Sequence, residues 1–68
     1  MKRGVIKERT FQSGQYFIEP DDTRSVSHYE IAEESKHLIN GNLYRNVDFT
    51  VNKDGYAVIK SFPPESKL

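Results

Sequence analysis

The sequence has no cysteine, which excludes disulfide bonds, thiolate metal sites and thiol chemistry, and fits an intracellular protein. It also has no net charge, because ten Lys and Arg side chains balance ten Asp and Glu. The chain therefore lacks the overall basic excess that is the commonest footprint of a nucleic-acid-binding protein. No stretch approaches ~20 consecutive apolar residues, and no apolar segment follows residues 1–3. We therefore predict no signal peptide and no membrane partner, and expect a soluble, cytoplasmic protein.

Catalytic patterns are missing as well. The chain contains two histidines and has no Ser–His–acid arrangement, no Cys–His pair and no glycine-rich phosphate loop. Glu33 and His37 have the spacing of two metal ligands on one helical face, but a structural metal site normally needs four ligands. We interpret both residues as solvated. The sequence thus predicts a protein that is not an enzyme and that has no metal and no cofactor.

The residues that are present predict one small domain. With 68 residues the chain has no room for a second core. Four Phe and four Tyr are spread along the chain, which favours a thin but real core. Without disulfides to support it, the domain is expected to lie near the low end of the ~5–15 kcal/mol that is typical of folded domains.

Strand-like segments with turn signals between them run along most of the chain. We predict five strands, at residues 3–10, 15–19, 24–29, 43–51 and 56–62. The fourth is the clearest, because Val47, Phe49 and Val51 alternate with polar residues. Residues 52–55 (Asn-Lys-Asp-Gly) predict a hairpin turn. Residues 31–38 fit either a helical turn or a solvated loop, and both interpretations stay open.

Five short strands, with the longest connection between the third and the fourth, are typical of a five-stranded antiparallel Greek-key barrel of the OB-fold type. An SH3-like small barrel is the main alternative. The prediction is an all-β domain over residues 1–62, followed by a flexible C-terminal tail over residues 63–68, where two prolines prevent a further strand.

Three motifs resemble those of the cold-shock domain family, in order and spacing, over about residues 4–59. Residues 4–7 (Gly-Val-Ile-Lys) are similar to the Gly-x-Val-Lys start of these domains. Residues 13–22 (Ser-Gly-Gln-Tyr-Phe-Ile-Glu-Pro-Asp-Asp) resemble the family's Lys-Gly-Phe-Gly-Phe-Ile strand and the turn after it. Residues 25–29 (Ser-Val-Ser-His-Tyr) resemble Val-Phe-Val-His-Phe. The resemblance implies an OB-fold barrel that binds single-stranded RNA or DNA by stacking bases on exposed aromatic rings.

Carried over by position, the resemblance implies a nucleic-acid site with these residues: Lys7, Arg9, Phe17, His28 and Tyr29. By the family pattern Phe17 faces outwards and Ile18 faces the core. Tyr16 stands where the family has a small glycine on the inward side, so we expect rearrangement around Phe11 or at the barrel rim.

Several stacking rings of the family are replaced in this chain. The replacements are Glu8 for Trp, and Arg9, Gln15 and Val26 each for Phe. A stacked base is worth ~1–3 kcal/mol, and a micromolar complex has about 8 kcal/mol in total. We therefore predict weak binding. The alternative is a barrel whose face has been converted to protein–protein interaction or homodimerisation, with Phe17 and Tyr29 as anchors.

Overall fold

The computed structural model of the protein describes residues 1–11 and 14–64. Residues 65–68 of the predicted tail lie outside the described residues, and Pro63 and Pro64 belong to no strand. The described part of the chain is all-β apart from one short helix. Its elements are β1 (Lys2–Glu8), β2 (Tyr16–Pro20), β3 (Tyr29–Glu30), a 3-10 helix (Glu33–Leu38), β4 (Asn46–Val51) and β5 (Ala57–Ser61).

The five strands form one curled antiparallel sheet in the order β3-β2-β1-β4-β5. The two edges of the sheet approach each other just beyond β3, where Ile31 forms an isolated parallel bridge with Ala57. The N–H of Ala32 donates to the carbonyl of Ala57 at 2.8 Å in the same place. The sheet is therefore a half-barrel, which is compatible with the predicted barrel class.

All five predicted strands are present, but the third is much shorter than the prediction of residues 24–29. Only Tyr29 and Glu30 pair with β2, opposite Ile18 and Phe17. β2 itself ends at Pro20, which has no N–H to donate to a ladder. Residues 24–28 consequently form irregular backbone.

The fourth strand also begins later than predicted, at Asn46 and not at residue 43. Tyr44 has a φ of 65°, a left-handed conformation that interrupts an extended strand and is uncommon for a bulky residue. Its N–H still donates to the carbonyl of Ile6 at 2.7 Å, so the segment stays beside β1. The Tyr44 side chain is 69% exposed.

The core lies on the concave face of the sheet, and the alternation read from the sequence is confirmed there. Ile6 and Ile18 are opposite each other on β1 and β2, and both are completely buried. Val47 and Phe49 are completely buried on β4, and Ala57 and Ile59 are buried on β5. Ile31 and Ile39, which flank the short helix, complete the cluster.

The connection between β3 and β4 is helical, so the first of the two interpretations of residues 31–38 is confirmed. The buried hydroxyl of Ser35 accepts a hydrogen bond from the N–H of Ile59 at 2.9 Å, which holds the helix against β5. The side-chain amide of Asn42 donates to the carbonyl of Leu38 at 2.7 Å. Gly41 then turns the chain away with a φ of 81°, a conformation that glycine adopts without steric cost.

The predicted hairpin between β4 and β5 is confirmed too. The side-chain oxygen of Asn52 accepts hydrogen bonds from the N–H groups of Asp54 and Tyr56, both at 3.0 Å. Gly55 has a φ of 89°, as the turn requires. Among the described residues no helix is both long enough and apolar enough to cross a membrane.

Candidate functional site

The convex face of the sheet carries most of the residues that the sequence predicts as a site. Lys7 is opposite Phe17 across β1 and β2, and Phe17 is opposite Glu30 across β2 and β3. The neighbouring row contains the buried Ile6 and Ile18. Because successive side chains of a strand point to opposite faces, Lys7, Phe17 and Glu30 point away from the core. The outward orientation of Phe17 and the inward orientation of Ile18 are therefore confirmed.

Phe17 lies at the centre of a compact group of side chains. The guanidinium carbon of Arg9 is 5.4 Å from the centre of the Phe17 ring, within the range of a cation–π interaction. The ring of His28 meets it edge to face, with centres 5.6 Å apart and planes at 78°. We call Arg9, Phe17, His28 and Glu30 the Phe17 cluster.

Glu30 is the residue of this cluster that sequence reasoning missed. Its carboxylate pairs with the guanidinium of Arg9, and Nε2 of His28 lies 3.6 Å from the same oxygen. Only the β2–β3 register brings Glu30 next to Phe17, because the two residues are far apart in sequence. A neighbouring acidic side chain lowers the attraction of Arg9 for a phosphate.

Two further cations of the convex face, Lys7 and Arg3, are also paired. Nζ of Lys7 lies 2.9 Å from a carboxylate oxygen of Glu19, and Nε of Arg3 donates to Asp48 at 2.9 Å. The hydrogen bond from Arg3 holds the pKa of the Asp48 carboxyl below its usual value. The convex face therefore alternates positive and negative charge, as the zero net charge of the chain suggests.

Tyr29 does not belong to the Phe17 cluster. It is opposite the buried Ile18, and its ring packs edge to face on Phe49 with centres 5.4 Å apart. It is half-buried against the core. The structure thus brings together four of the five predicted site residues, Lys7, Arg9, Phe17 and His28, and places Tyr29 on the other face of the sheet.

Glu8, which departs from the family pattern, has a structural role. Its carboxylate accepts a hydrogen bond from the N–H of Gly14 at 2.9 Å. The N–H of Arg9 donates to the carbonyl of Gln15 at 2.8 Å. These two bonds hold the ends of the β1–β2 connection together, directly beside the Phe17 cluster.

A cleft opens at the end of the half-barrel where β1 passes into β2; we call it the mouth cleft. Tyr16 lines it and is half-buried against the core. From the sequence we expect a rearrangement around Phe11 or at the barrel rim to accommodate this ring. Phe11 is 96% exposed, and Tyr16 is accommodated at the rim.

Glu33 and His37, which have the sequence spacing of two metal ligands, do not form a metal site. Glu33 is exposed and pairs with Lys36 at 2.9 Å, and His37 is exposed too. Within residues 1–11 and 14–64, no three His, Cys, Asp or Glu side chains are grouped so that they could hold a metal ion.

Comparison of the chain with protein-family models, with curated proteins and with solved structures gives no match.

Proposed function

We propose that this protein is a non-catalytic domain that binds single-stranded RNA or DNA weakly through the Phe17 cluster and Lys7. The observation that carries the proposal is the position of Phe17 on the convex face, between the guanidinium of Arg9 and the ring of His28. Aromatic rings and guanidinium planes on a sheet surface are the groups on which unpaired bases stack, and nearby cations neutralise the phosphates.

We also propose that the half-barrel is an OB-fold of the cold-shock type. The strand order β3-β2-β1-β4-β5 and the parallel bridge between Ile31 and Ala57 support this proposal, because they bring β3 beside β5 as a closed five-stranded barrel requires. The helix between β3 and β4 supports it too. OB-folds bind oligonucleotides on the face of their second and third strands, where Phe17 and Glu30 lie, and His28 directly precedes the third strand.

The charge pairing of the convex face explains why the proposed binding is weak. Exposed ion pairs contribute only ~0–1 kcal/mol each, so a phosphate can replace Glu19 at Lys7, or Glu30 at Arg9, at little cost. The displaced carboxylates nevertheless stay close to the bound strand and repel it. The proposed site has two stacking rings, Phe17 and His28, whereas the cold-shock family pattern has more. Fewer bases can therefore stack on this protein than on a typical member of the family.

The first test is a titration of the protein with short pyrimidine-rich DNA and RNA strands at low salt, followed by backbone amide shifts. We expect shifts at Phe17, His28 and the β1 residues, with an affinity that falls as salt is added. If two or three phosphates are contacted, the slope of log affinity against log salt is about −1.4 to −2.1. A flat titration up to several hundred micromolar strand would contradict the proposal.

A second candidate function, protein–protein interaction or homodimerisation through the same face, is favoured by one observation. Lys7, Arg9 and Arg3 each pair with a carboxylate, so the face is balanced in charge, as many protein interfaces are. Phe17 would be the anchor residue. Such an interface responds little to salt, and sedimentation of the protein over a range of concentrations detects self-association.

Replacing the acidic residue of the Phe17 cluster tests whether Glu30 weakens the proposed single-strand binding. We expect Glu30→Gln to increase the affinity for a single strand about three- to tenfold at low salt, because it frees Arg9 and removes a charge that repels phosphate. The amide keeps the size of the side chain and can still accept a hydrogen bond from Arg9. The measurement is the dissociation constant of one oligonucleotide for both proteins.

The matched control is Glu34→Gln, which removes the same charge from the exposed surface of the short helix. It should change the affinity by less than about twofold, because Arg9 of the Phe17 cluster pairs with Glu30 and not with Glu34, and the interaction between two charges falls with their separation. Equal gains in both variants would indicate a general charge effect and no specific role for Glu30. A loss of affinity in Glu30→Gln would contradict the proposed repulsion.

A further inference from the structure

His28 is a titratable group in the Phe17 cluster, although the proposed function uses only its ring. Its Nε2 lies 3.6 Å from a carboxylate oxygen of Glu30, and its Nδ1 lies 3.4 Å from the hydroxyl oxygen of Ser27. The side chain is 45% exposed, so solvent protons reach it. Histidine is the residue type that ordinarily changes its charge between about pH 5 and 8. The charge of the cluster is therefore sensitive to pH.

One carboxylate oxygen lies against both cationic side chains of the cluster. The oxygen of Glu30 that lies near Nε2 of His28 is also the one that pairs with the guanidinium of Arg9. Within the part of the chain that the structure describes, Arg9, which directly follows β1, and Glu30 of β3 are the charged groups placed against His28. With a neutral imidazole the three side chains carry no net charge, and with an imidazolium they carry one net positive charge.

Protonation changes which partner the carboxylate holds. An imidazolium has an N–H donor on each ring nitrogen, so it can donate to Glu30 through Nε2 and to Ser27 through Nδ1 at the same time. It then competes with Arg9 for the carboxylate. An exposed ion pair is weak, so Arg9 exchanges this partner readily. A guanidinium released in this way is available to a phosphate or to the face of a base.

We propose that protonation of His28 converts the proposed single-strand site to a more tightly binding state by drawing Glu30 away from Arg9. The inference rests on the proposed function and adds its regulation by pH. At higher pH, Glu30 occupies Arg9 and repels the phosphates of the strand. At lower pH, the two cations share Glu30, and the cluster gains a positive charge that attracts phosphate.

The test measures the dissociation constant of hexathymidylate for the full chain at about pH 8 and at about pH 5.5, on either side of the ordinary titration of histidine. The strand has a 5′-hydroxyl end, because a terminal phosphate would titrate in the same interval. We expect the wild type to bind about three- to tenfold more tightly at the lower pH. The slope of log affinity against log salt should also become more negative by about 0.7, the equivalent of one more phosphate contact.

The second histidine of the chain provides a matched control. His28→Gln should hold the ratio of the two dissociation constants within about twofold, because glutamine does not titrate. Its affinity should be lower at both pH values, since the ring is gone. His37→Gln removes the other histidine, which is exposed on the short helix, and should keep the full pH dependence. Both variants retain the α-amino group, so the difference between them reports His28.

NMR spectra of the free protein test the exchange of partners without a strand. The Nε–Hε signal of Arg9 should shift with pH at the same midpoint as the ring protons of His28, and it should not do so in His28→Gln. Glu30→Gln should reduce the pH dependence of strand binding, because no carboxylate is left for the two cations to share. An unchanged pH dependence in Glu30→Gln would contradict the inference.

The failure of the inference can be told apart from the failure of the proposed function. If the wild type binds hexathymidylate equally well at both pH values, the inference is wrong and the proposed function stands. If His37→Gln abolishes the pH dependence as His28→Gln does, the cluster is not its source and the inference is again wrong. If the wild type binds no strand at either pH, the inference and the proposed function both fail.

Discussion

Gly4→Ala is expected to destabilise the domain by about 3 kcal/mol or more, in the upper range of overpacking effects. Gly4 is buried on β1, opposite Pro20 of β2. A Cβ atom at this position would lie 2.5 Å from the carbonyl oxygen of Glu19, 2.8 Å from Cγ2 of Ile18 and 3.0 Å from Cα of Pro20. Two of these atoms belong to the backbone, so the β1–β2 pairing itself would have to separate.

The measurement is the free energy of unfolding from urea denaturation of the wild type and the variant. If the domain has a stability near the low end of ~5–15 kcal/mol, Gly4→Ala removes much of it and lowers the urea midpoint strongly. Cooperative unfolding with an unchanged midpoint would show that β2 lies farther from β1 than the structure indicates.

Gly55→Ala separates this steric effect from the loss of glycine's backbone freedom. Gly55 has a φ of 89° and no atom within 4 Å of the added Cβ position. The substitution therefore costs only the strain of a left-handed alanine, about 1–2 kcal/mol. Gly4→Ala should be the more damaging of the two, and the reverse order would contradict the close approach of β2.

Phe17→Ala should weaken single-strand binding by about ten- to a hundredfold, the equivalent of losing ~1–3 kcal/mol of stacking. The substitution removes the ring that Arg9 and His28 both contact, so it also loosens the arrangement of those two side chains. Phe17 lies on the convex face, outside the core cluster. The variant should therefore remain folded, and its amide spectrum verifies this before the titration.

Two controls accompany this variant. Phe11→Ala removes the same side chain from a position that is 96% exposed and should leave the affinity within about twofold, while Phe17→Tyr should keep most of the stacking. If the folded Phe17→Ala protein binds oligonucleotides as tightly as the wild type, the proposed function is wrong. A loss of binding to a protein partner, with no effect on oligonucleotides, would favour the second candidate function.

The face of each residue within a strand was predictable where hydrophobic and polar residues alternate clearly. Val47 and Phe49 alternate with polar residues on β4, so burial on one face follows from the period of two residues. On β2, where residues 16–18 are all apolar, the resemblance to the cold-shock family implied which side chains face outwards. The hairpin at Asn52 and Gly55 was equally predictable, because its turn is made by side-chain and backbone chemistry within four residues. Such features depend on neighbours in sequence.

The candidate site was predictable only in part, and Tyr29 and Glu30 show why. A shift of one residue in the β2–β3 register would exchange their faces, and nothing in residues 24–30 alone determines that register. The observed pairing of Tyr29 with Ile18 and of Glu30 with Phe17 turns the tyrosine towards Phe49 and the carboxylate towards Arg9. The result is a site with one ring fewer and one negative charge more than the sequence suggested.

The sequence by itself determined the all-β class, the number of strands and the main core residues, and the resemblance to the cold-shock family implied that Phe17 faces outwards. Tertiary structure alone decided the pairing of Glu30 with Arg9, the close approach of Gly4 to Glu19 and the mouth cleft between Tyr16 and Tyr56. The physical reason is the range of the interactions involved. Alternation and turns act within a few residues of the chain, whereas charge pairing, backbone clearance and concave surfaces depend on which strands are neighbours and in which register.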